Sequence, residues 1–195
     1  MIQIPKDSVS QISKCLIEGQ VVALPTETVF GLAAALNSTK ALEKLIYLKR
    51  RDLTSGKVFT LVPESVAAIK QYASLNKLAK SFIAKYIPGP ITLILPKNPE
   101  FSHPYFDHFS TVGIRIPKSP LFASLLPETG PLFLTSANPR GDAPALSSSA
   151  VISTLPKVDA VVTATLSSSA LPSTIVDLTG KSPLVLRQGS LKISQ

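Results

Sequence analysis

Basic and polar side chains stand beside apolar segments at several places in the chain. Thr28 follows the apolar run 21–24, Arg115 lies inside the run 112–116, and Arg187 closes the run 184–186. Side chains at the ends of strands often line binding crevices, and an arginine among strand residues is expensive to bury without a partner. The two arginines, joined by Lys49 and Arg51, therefore predict a pocket for an anion.

Hydroxyl and amide side chains follow the same pattern. Thr135-Ser136-Ala137-Asn138 comes directly after the apolar run 131–134, and Ser173-Thr174 precedes Ile175. Such residues donate hydrogen bonds to bound anions, but they also make turns and helix caps. Each of them is therefore as compatible with a structural role as with a binding role.

Histidine-driven catalysis is not favoured. The two histidines, His103 and His108, flank Asp107 in a polar segment with no third ligand at metal-binding spacing. We interpret them as solvated loop residues, and we predict neither a metal site nor histidine acid–base chemistry.

Composition restricts the class of protein and of partner. The chain of 195 residues has 20 Lys and Arg against 12 Asp and Glu, a net charge of +8, and 45% of its residues are hydrophobic. A globular core is expected, and the positive charge suits nucleic acid, membrane phosphate or a phosphorylated small molecule. One cysteine, Cys15, suits a reducing compartment, where it would pack in the core. Without an export signal or a membrane-spanning apolar run, we expect a cytoplasmic protein.

The elements that position these residues alternate along the chain. The predicted strands cover residues 21–24, 58–62, 91–95, 111–116, 131–135, 158–163, 174–178 and 183–187. Helices are predicted from a cap at Asp7 or Ser8 to Gly19, from Ser38 or Thr39 to 49–51, twice within 65–86, and near 119–126 and 147–154. This order predicts one α/β (or α+β) domain over 1–195, built on a mixed sheet.

The ordered motifs are also typical of a known family. They are Pro25-Thr26-Glu27-Thr28-Val29-Phe30-Gly31-Leu32, Lys49-Arg50-Arg51, Pro88-Gly89-Pro90-Ile91-Thr92-Leu93, Val112-Gly113-Ile114-Arg115-Ile116-Pro117, Thr135-Ser136-Ala137-Asn138, Pro172-Ser173-Thr174-Ile175-Val176-Asp177 and Leu186-Arg187-Gln188-Gly189. From about residue 10 to 190 the chain resembles the YrdC-like family, the threonylcarbamoyl-AMP synthases. Its length suggests the short, single-domain form.

The resemblance implies a fold and a reaction. The fold would be a twisted mixed sheet with surrounding helices and a concave, positively charged cavity. The reaction would condense L-threonine, bicarbonate or CO2, and ATP to threonylcarbamoyl-adenylate and pyrophosphate. The product would supply the threonylcarbamoyl modification of adenosine 37 in tRNA, which a companion protein completes, so tRNA would be an indirect partner.

The resemblance also implies roles for individual residues. Threonine would be held by Thr28, Thr60, Arg115 and Ser173, with Arg115 taking its carboxylate bidentately. ATP would face Arg51, Ser55, Thr111, Asn138 and Arg187. Lys49, Arg51, Ser136 and Asn138 would form the catalytic set around the phosphates, and Mg²⁺ would arrive with ATP, held by phosphates and water.

The chain departs from the family pattern at several positions. Phe30 stands where the family usually has tyrosine, and Lys49-Arg50-Arg51-Asp52 replaces K-G-R-P. Gly56-Lys57 and Thr60 replace the usual Pro-Leu pair and the histidine that follows.

Two other functions are compatible with the sequence. A non-catalytic RNA-binding protein of the same fold would also explain the charge of +8, although an aromatic content of 6% gives little sign of a base-stacking platform. A related carbamoyl-adenylate domain is disfavoured, because its zinc-finger and acylphosphatase-like companions do not occur in this chain.

Overall fold

The computed structural model describes residues 1–51 and 58–193. The strands are β1 (Ile2–Pro5), β2 (Val22–Pro25), β3 (Phe30–Ala35), β4 (Thr60–Val62), β5 (Ile91–Pro96), β6 (Thr111–Ile114), β7 (Leu132–Ser136), β8 (Ala160–Thr163), β9 (Thr174–Asp177) and β10 (Leu184–Arg187). The helices are α1 (Val9–Ile17), α2 (Thr39–Lys49), α3 (Ile69–Tyr72), α4 (Lys77–Tyr86), α5 (Pro120–Thr129) and α6 (Ser148–Thr154).

All ten described strands belong to one sheet. Its order is β1-β8-β2-β3-β7-β4-β6-β5-β9-β10. The sheet contains both parallel pairs, such as β4 with β6, and antiparallel pairs, such as β3 with β7. The predicted α/β architecture with a mixed sheet is confirmed.

Helices cover the sheet through their apolar faces. In α1, Ile12, Cys15 and Leu16 are buried, and the helix contacts α5, β2 and β3. The α2 helix begins at the cap Ser38, whose hydroxyl accepts a hydrogen bond from the Ala41 N–H at 3.2 Å. Leu45 of α2 is fully buried, and this helix packs on β3. Cys15 therefore packs in the core, as predicted.

Two strands were not predicted. The β3 strand, Phe-Gly-Leu-Ala-Ala-Ala, is buried at every position and lies between β2 and β7. Glycine and alanine are poor strand formers, so the pairing on both sides, rather than local propensity, stabilises β3. The β1 strand is a four-residue edge strand that pairs in parallel with β8.

The segment 97–110 was predicted as a loop and contains one 3₁₀ turn, Phe106–His108. Its aromatic rings pack together: Tyr105 stacks on Phe59 at 5.2 Å between ring centroids, and Phe106 stacks on Phe133 at 5.6 Å. The prediction that His103 is a solvated residue is wrong. It is half-buried, its Nε2 lies 3.0 Å from the Leu36 carbonyl oxygen, and its Nδ1 accepts the Tyr105 N–H.

No helix in the described parts of the chain has both the length and the apolar character needed to cross a bilayer.

Candidate anion-binding pocket

A pocket of about 600 Å³ lies against one face of the sheet. The alternation of side chains along each strand determines which residues line it. Thr111 and Gly113 of β6, followed by Arg115, lie on the pocket side. Thr92 and Ile94 of β5 lie on that side as well. The polar residues that line it are Thr26, Arg51, Thr60, Thr92, Thr111, Arg115, Thr135, Ser136, Ser173 and Arg187.

Arg115 is a buried cation whose described partners all contact its Nη2 atom. It is 6% exposed, and its Nη2 donates to the Thr28 hydroxyl at 2.8 Å and lies 3.1 Å from Glu27 Oε2. The Thr26 hydroxyl accepts from the Thr28 N–H and donates to the Val29 carbonyl, so the turn after β2 is rigid. Thr28 thus positions the guanidinium.

Burial and charge have opposite effects on Arg115. Desolvation lowers the pKa of Arg115, and the carboxylate of Glu27 opposes that change. The Nε–H is buried and has no partner among the described residues. A buried donor without an acceptor is costly, so a bound anion that reaches this N–H would be favoured.

Arg187 also lines the pocket. Its Nε and Nη2 donate to the Ser173 carbonyl at 3.0 and 2.8 Å, and Nη2 also donates to the Ser173 hydroxyl at 3.1 Å. That hydroxyl lies 3.0 Å from the Thr92 hydroxyl, which holds it from the neighbouring strand. Partial desolvation and then the charge of Arg115 lower the pKa of Arg187.

A close backbone contact holds Arg187 in place. A Cβ atom on Gly189 would lie 2.1 Å from the Pro172 carbonyl oxygen and 2.6 Å from the Ser173 carbonyl carbon. Only glycine permits this approach, and the Gly189 N–H donates to the Thr174 hydroxyl at 3.0 Å. The segment after β10 is therefore fixed against the start of β9.

Lys49 fixes the turn after β7. Its Nζ donates to the carbonyl oxygens of Ser136 and Asn138 at 2.8 and 2.6 Å and to Asn138 Oδ1 at 3.0 Å. The Asn138 amide donates to the carbonyls of Pro139 and Asp142. Burial and then the charge of Arg51 lower the pKa of Lys49 to about 8.

Arg51 lies between this turn and the aromatic cluster. Its guanidinium carbon is 4.1 Å from the centroid of the Phe59 ring, which orients the planar group by a cation–π contact. Burial raises the pKa of Tyr105, and Arg51 opposes that rise. Arg51 and Lys49 lie near enough for their charges to interact, as Arg115 and Arg187 do.

The structure gathers most of the predicted site residues. Those that line the pocket are Arg51, Thr60, Thr111, Arg115, Ser136, Ser173 and Arg187. Thr28, Lys49 and Asn138 lie behind the lining and contact it through Arg115 and Ser136. Ser55, together with Asp52, Gly56 and Lys57, lies outside the described residues.

Three polar lining residues were absent from the predicted set. Thr92 interrupts an apolar strand, and Thr26 and Thr135 lie in motifs already recognised for Thr28 and for Ser136. Strand alternation was the available signal for Thr92, since it places that side chain opposite Ile91 and Leu93.

The described residues contain no group of three or more His, Cys, Asp or Glu side chains placed to hold a metal ion.

The mixed sheet, with arginine and hydroxyl side chains lining one pocket, defines an α/β protein with a candidate anion-binding pocket. The chain belongs to the Sua5/YciO/YrdC family, whose model, described as telomere recombination, matches residues 14–189.

Relatives and solved structures agree with this assignment. A protein of Methanocaldococcus jannaschii is 32% identical over 185 residues, which cover 94% of this chain and 86% of that protein. The threonylcarbamoyl-AMP synthase of Vibrio campbellii is 31% identical over 184 residues, 92% of this chain and 97% of the relative. The structure of P. abyssi Sua5 complexed with L-threonine superposes with a TM-score of 0.86 at 25% identity. The match covers 97% of this chain but only 57% of Sua5.

Proposed function

We propose that this protein is a threonylcarbamoyl-AMP synthase that converts L-threonine, bicarbonate or CO2, and ATP to threonylcarbamoyl-adenylate and pyrophosphate. The observation that carries the proposal is the pocket itself, in which Arg51, Arg115 and Arg187 surround a floor of threonine and serine hydroxyls. The name of the Vibrio relative and the threonine complex of Sua5 support it.

The threonine end of the pocket would be built around Arg115. Its Nε–H, which has no partner among the described residues, would donate a hydrogen bond to an oxygen of the threonine carboxylate. Glu27 and Thr28 would keep their contacts with Nη2. A fully bidentate contact would require Nη2 to be shared with Glu27. Ser173 and Thr60 line the same pocket and would bond the remaining polar atoms of threonine.

The phosphate end would be built around Arg51 and Arg187, with Thr111 and Ser136 as hydroxyl donors. Lys49 and Asn138 would act mainly by fixing the Ser136 turn, because their polar atoms already bond to one another and to that turn. MgATP is the substrate in this proposal, and the metal would be carried by the triphosphate.

The chemistry requires alignment more than proton transfer. The threonine amine attacks CO2, a C–N bond forms, and the amine loses a proton to give a carbamate. A carbamate oxygen then attacks the α-phosphorus, a P–O bond forms, and the bond to the β-phosphate breaks to release pyrophosphate. Charge accumulates on phosphate oxygens, where fixed guanidinium groups stabilise it.

The direct test is incubation of the protein with ¹⁴C-bicarbonate, threonine and MgATP. We expect threonine-dependent release of pyrophosphate and a labelled adenylate. Arg187→Ala should lower the rate at least ~10-fold, because one fixed phosphate donor is lost. Absence of both products in the wild-type protein would refute the proposed activity.

We further propose that the product is used for threonylcarbamoylation of adenosine 37 in tRNA by a separate transfer machinery. Addition of that machinery and unmodified tRNA to the reaction should yield the modified nucleoside. Its absence while adenylate still forms would reject this destination without affecting the synthase proposal.

A further inference from the structure

A second basic surface lies on the outer side of α2. It is a groove of about 480 Å³ that adjoins a shallower depression, and Tyr47 and Lys157 belong to both. We call it the α2 groove and define it by Lys40, Tyr47, Arg50, Arg140 and Lys157. Arg51 lines both this groove and the central pocket, so the two are adjacent.

Four cations of the α2 groove make no ion pair with a carboxylate of residues 1–51 or 58–193, namely Lys40, Arg50, Arg140 and Lys157. Lys44 at the edge pairs with Asp159, and the exposed Glu43 lines the same depression without an ion pair among the described residues. The four exposed cations therefore outnumber the one exposed carboxylate, which leaves a positive field that attracts polyanions.

An exposed aromatic ring lies among these charges. Tyr47 is 59% exposed, the Lys157 ammonium lies 4.9 Å from the centroid of its ring, and the two side chains are hydrogen-bonded. By contrast, Tyr86 on the lysine-rich α4 is half-buried and packs against Phe82. Among residues 1–51 and 58–193, Tyr47 is the one phenylalanine or tyrosine that is exposed, so the α2 surface presents an accessible ring beside its cations.

Arg50 has a left-handed backbone conformation. It has φ of 44°, the one positive φ that the described part of the chain shows at a residue other than glycine. Glycine adopts this left-handed conformation at a helix C-terminus most readily, so an arginine there carries a conformational cost. The Arg50 side chain lines the groove.

The spacing of the charges exceeds the size of one phosphate. Lys40 and Arg50 are ten residues apart, which is about 15 Å along a helix. The aliphatic residues of the groove are not presented as a membrane anchor would present them, since Leu48 and Leu155 are buried. A chain of phosphates with accessible bases matches both the charges and the ring.

We propose that the α2 groove binds the backbone of single-stranded RNA and that one base stacks on Tyr47. This binding is separate from the proposed adenylate synthesis and does not depend on it. A strand in the groove would lie beside the central pocket, next to Arg51.

The test uses the full chain and a fluorescein-labelled RNA of mixed sequence, about 12 nucleotides long. The triple variant Lys40→Ala/Arg140→Ala/Lys157→Ala should weaken binding at least ~10-fold at low salt. It should also reduce the slope of log K against log salt by about 2, since three phosphate contacts are lost. The charge-matched control Lys77→Ala/Lys80→Ala/Lys85→Ala removes three exposed cations from α4 and should change affinity less than about twofold.

Three further variants distinguish the effect of base stacking and of misfolding from the effect of charge. Tyr47→Ala should weaken binding about tenfold, whereas Tyr47→Phe, which keeps the ring, should not. Arg50→Gly suits the backbone at that position, so it should fold and still reduce the salt slope by about 0.7. Adenylate formation should be unchanged in all of these variants.

Three results would overturn the proposal. They are equal losses in the α2 and α4 triple variants, wild-type affinity in Tyr47→Ala, and binding to phosphatidylserine vesicles without binding to the RNA. The last would assign the surface to a membrane.

Discussion

At the scale of single residues, the buried ammonium of Lys49 holds the turn after β7 and also carries a positive charge that would act on a bound anion. Three oxygens from the turn after β7 surround it, and burial together with Arg51 lowers its pKa to about 8. A triphosphate near this turn would favour the charged form. The free enzyme should therefore lose the Lys49 charge at a lower pH than the nucleotide complex.

A pH profile tests this expectation. Lys49 is positively charged below its folded pKa, so kcat/KM for ATP should fall as the pH rises through about 8. Lys49→Arg retains the charge and should remove that fall, while the exposed Lys80→Arg should not. Pyrophosphate release measured from about pH 6.5 to 9.5 gives the profiles. Identical profiles for wild type and Lys49→Arg would contradict the assignment.

Replacement of Arg50 by glycine is expected to stabilise the protein. Its φ of 44° is costly for a residue with a Cβ atom, so Arg50→Gly should stabilise the fold by about 1 kcal/mol. Arg50→Ala removes the same side chain but keeps the Cβ, and it should give no comparable gain. Urea unfolding of the three proteins measures the difference. A lower midpoint for Arg50→Gly than for Arg50→Ala would show that the backbone is not strained there.

At the scale of elements, the contact between the end of β10 and the start of β9 is critical. Gly189→Ala would place a methyl group 2.1 Å from the Pro172 carbonyl oxygen, and this backbone atom cannot move aside cheaply. We expect destabilisation by about 1–3 kcal/mol and a raised KM for ATP, because Arg187 would leave Ser173.

Gly180 supplies the matched control. A Cβ atom there would meet only the Ser182 carbonyl oxygen at 3.8 Å, which is an ordinary contact. Gly180→Ala should therefore leave the unfolding free energy within about 0.5 kcal/mol of wild type. Equal unfolding midpoints for Gly189→Ala and Gly180→Ala would show that the close approach is not required.

The elements also show where sequence reasoning succeeds. Apolar, β-branched runs predicted β5 and β9 within a residue or two, and the cap at Ser38 marked the start of α2. The β3 strand was missed because four of its six residues are alanine or glycine, which are poor strand formers. Whether these residues form a strand depends on their pairing with β2 and β7, which are distant in sequence from one another.

The site follows the same rule. Arg115 and Arg187 were predictable because an arginine beside apolar strand residues needs a reason to be there. The second role of Lys49, as a brace for the Ser136 turn, depends on residues 87 and 89 positions away and could not be read from local pattern. Thr92 required knowledge of which strand face lines the pocket.

At the scale of the whole molecule, the pocket depends on most of the sheet. Its lining begins at Thr26 and ends at Arg187, and it draws on the seven neighbouring strands β3, β7, β4, β6, β5, β9 and β10. No short segment contains the site. A ligand that binds there should therefore stabilise the protein against global unfolding, by mass action on the folded state alone.

Thermal unfolding with ligands tests this coupling and the division of the pocket together. At 100-fold excess over the dissociation constant a ligand adds about 2.7 kcal/mol, which for a chain of this size is about 5–10 °C in Tm.

Threonine and magnesium α,β-methylene-ATP, in which the scissile bond cannot break, should each raise the Tm of the wild type. Arg115→Lys should lose the response to threonine and keep the response to the nucleotide, because a lysine cannot reproduce the forked guanidinium contact. Loss of both responses in that variant would mean that the two ends of the pocket are not separate, and an undiminished threonine response would place the carboxylate away from Arg115.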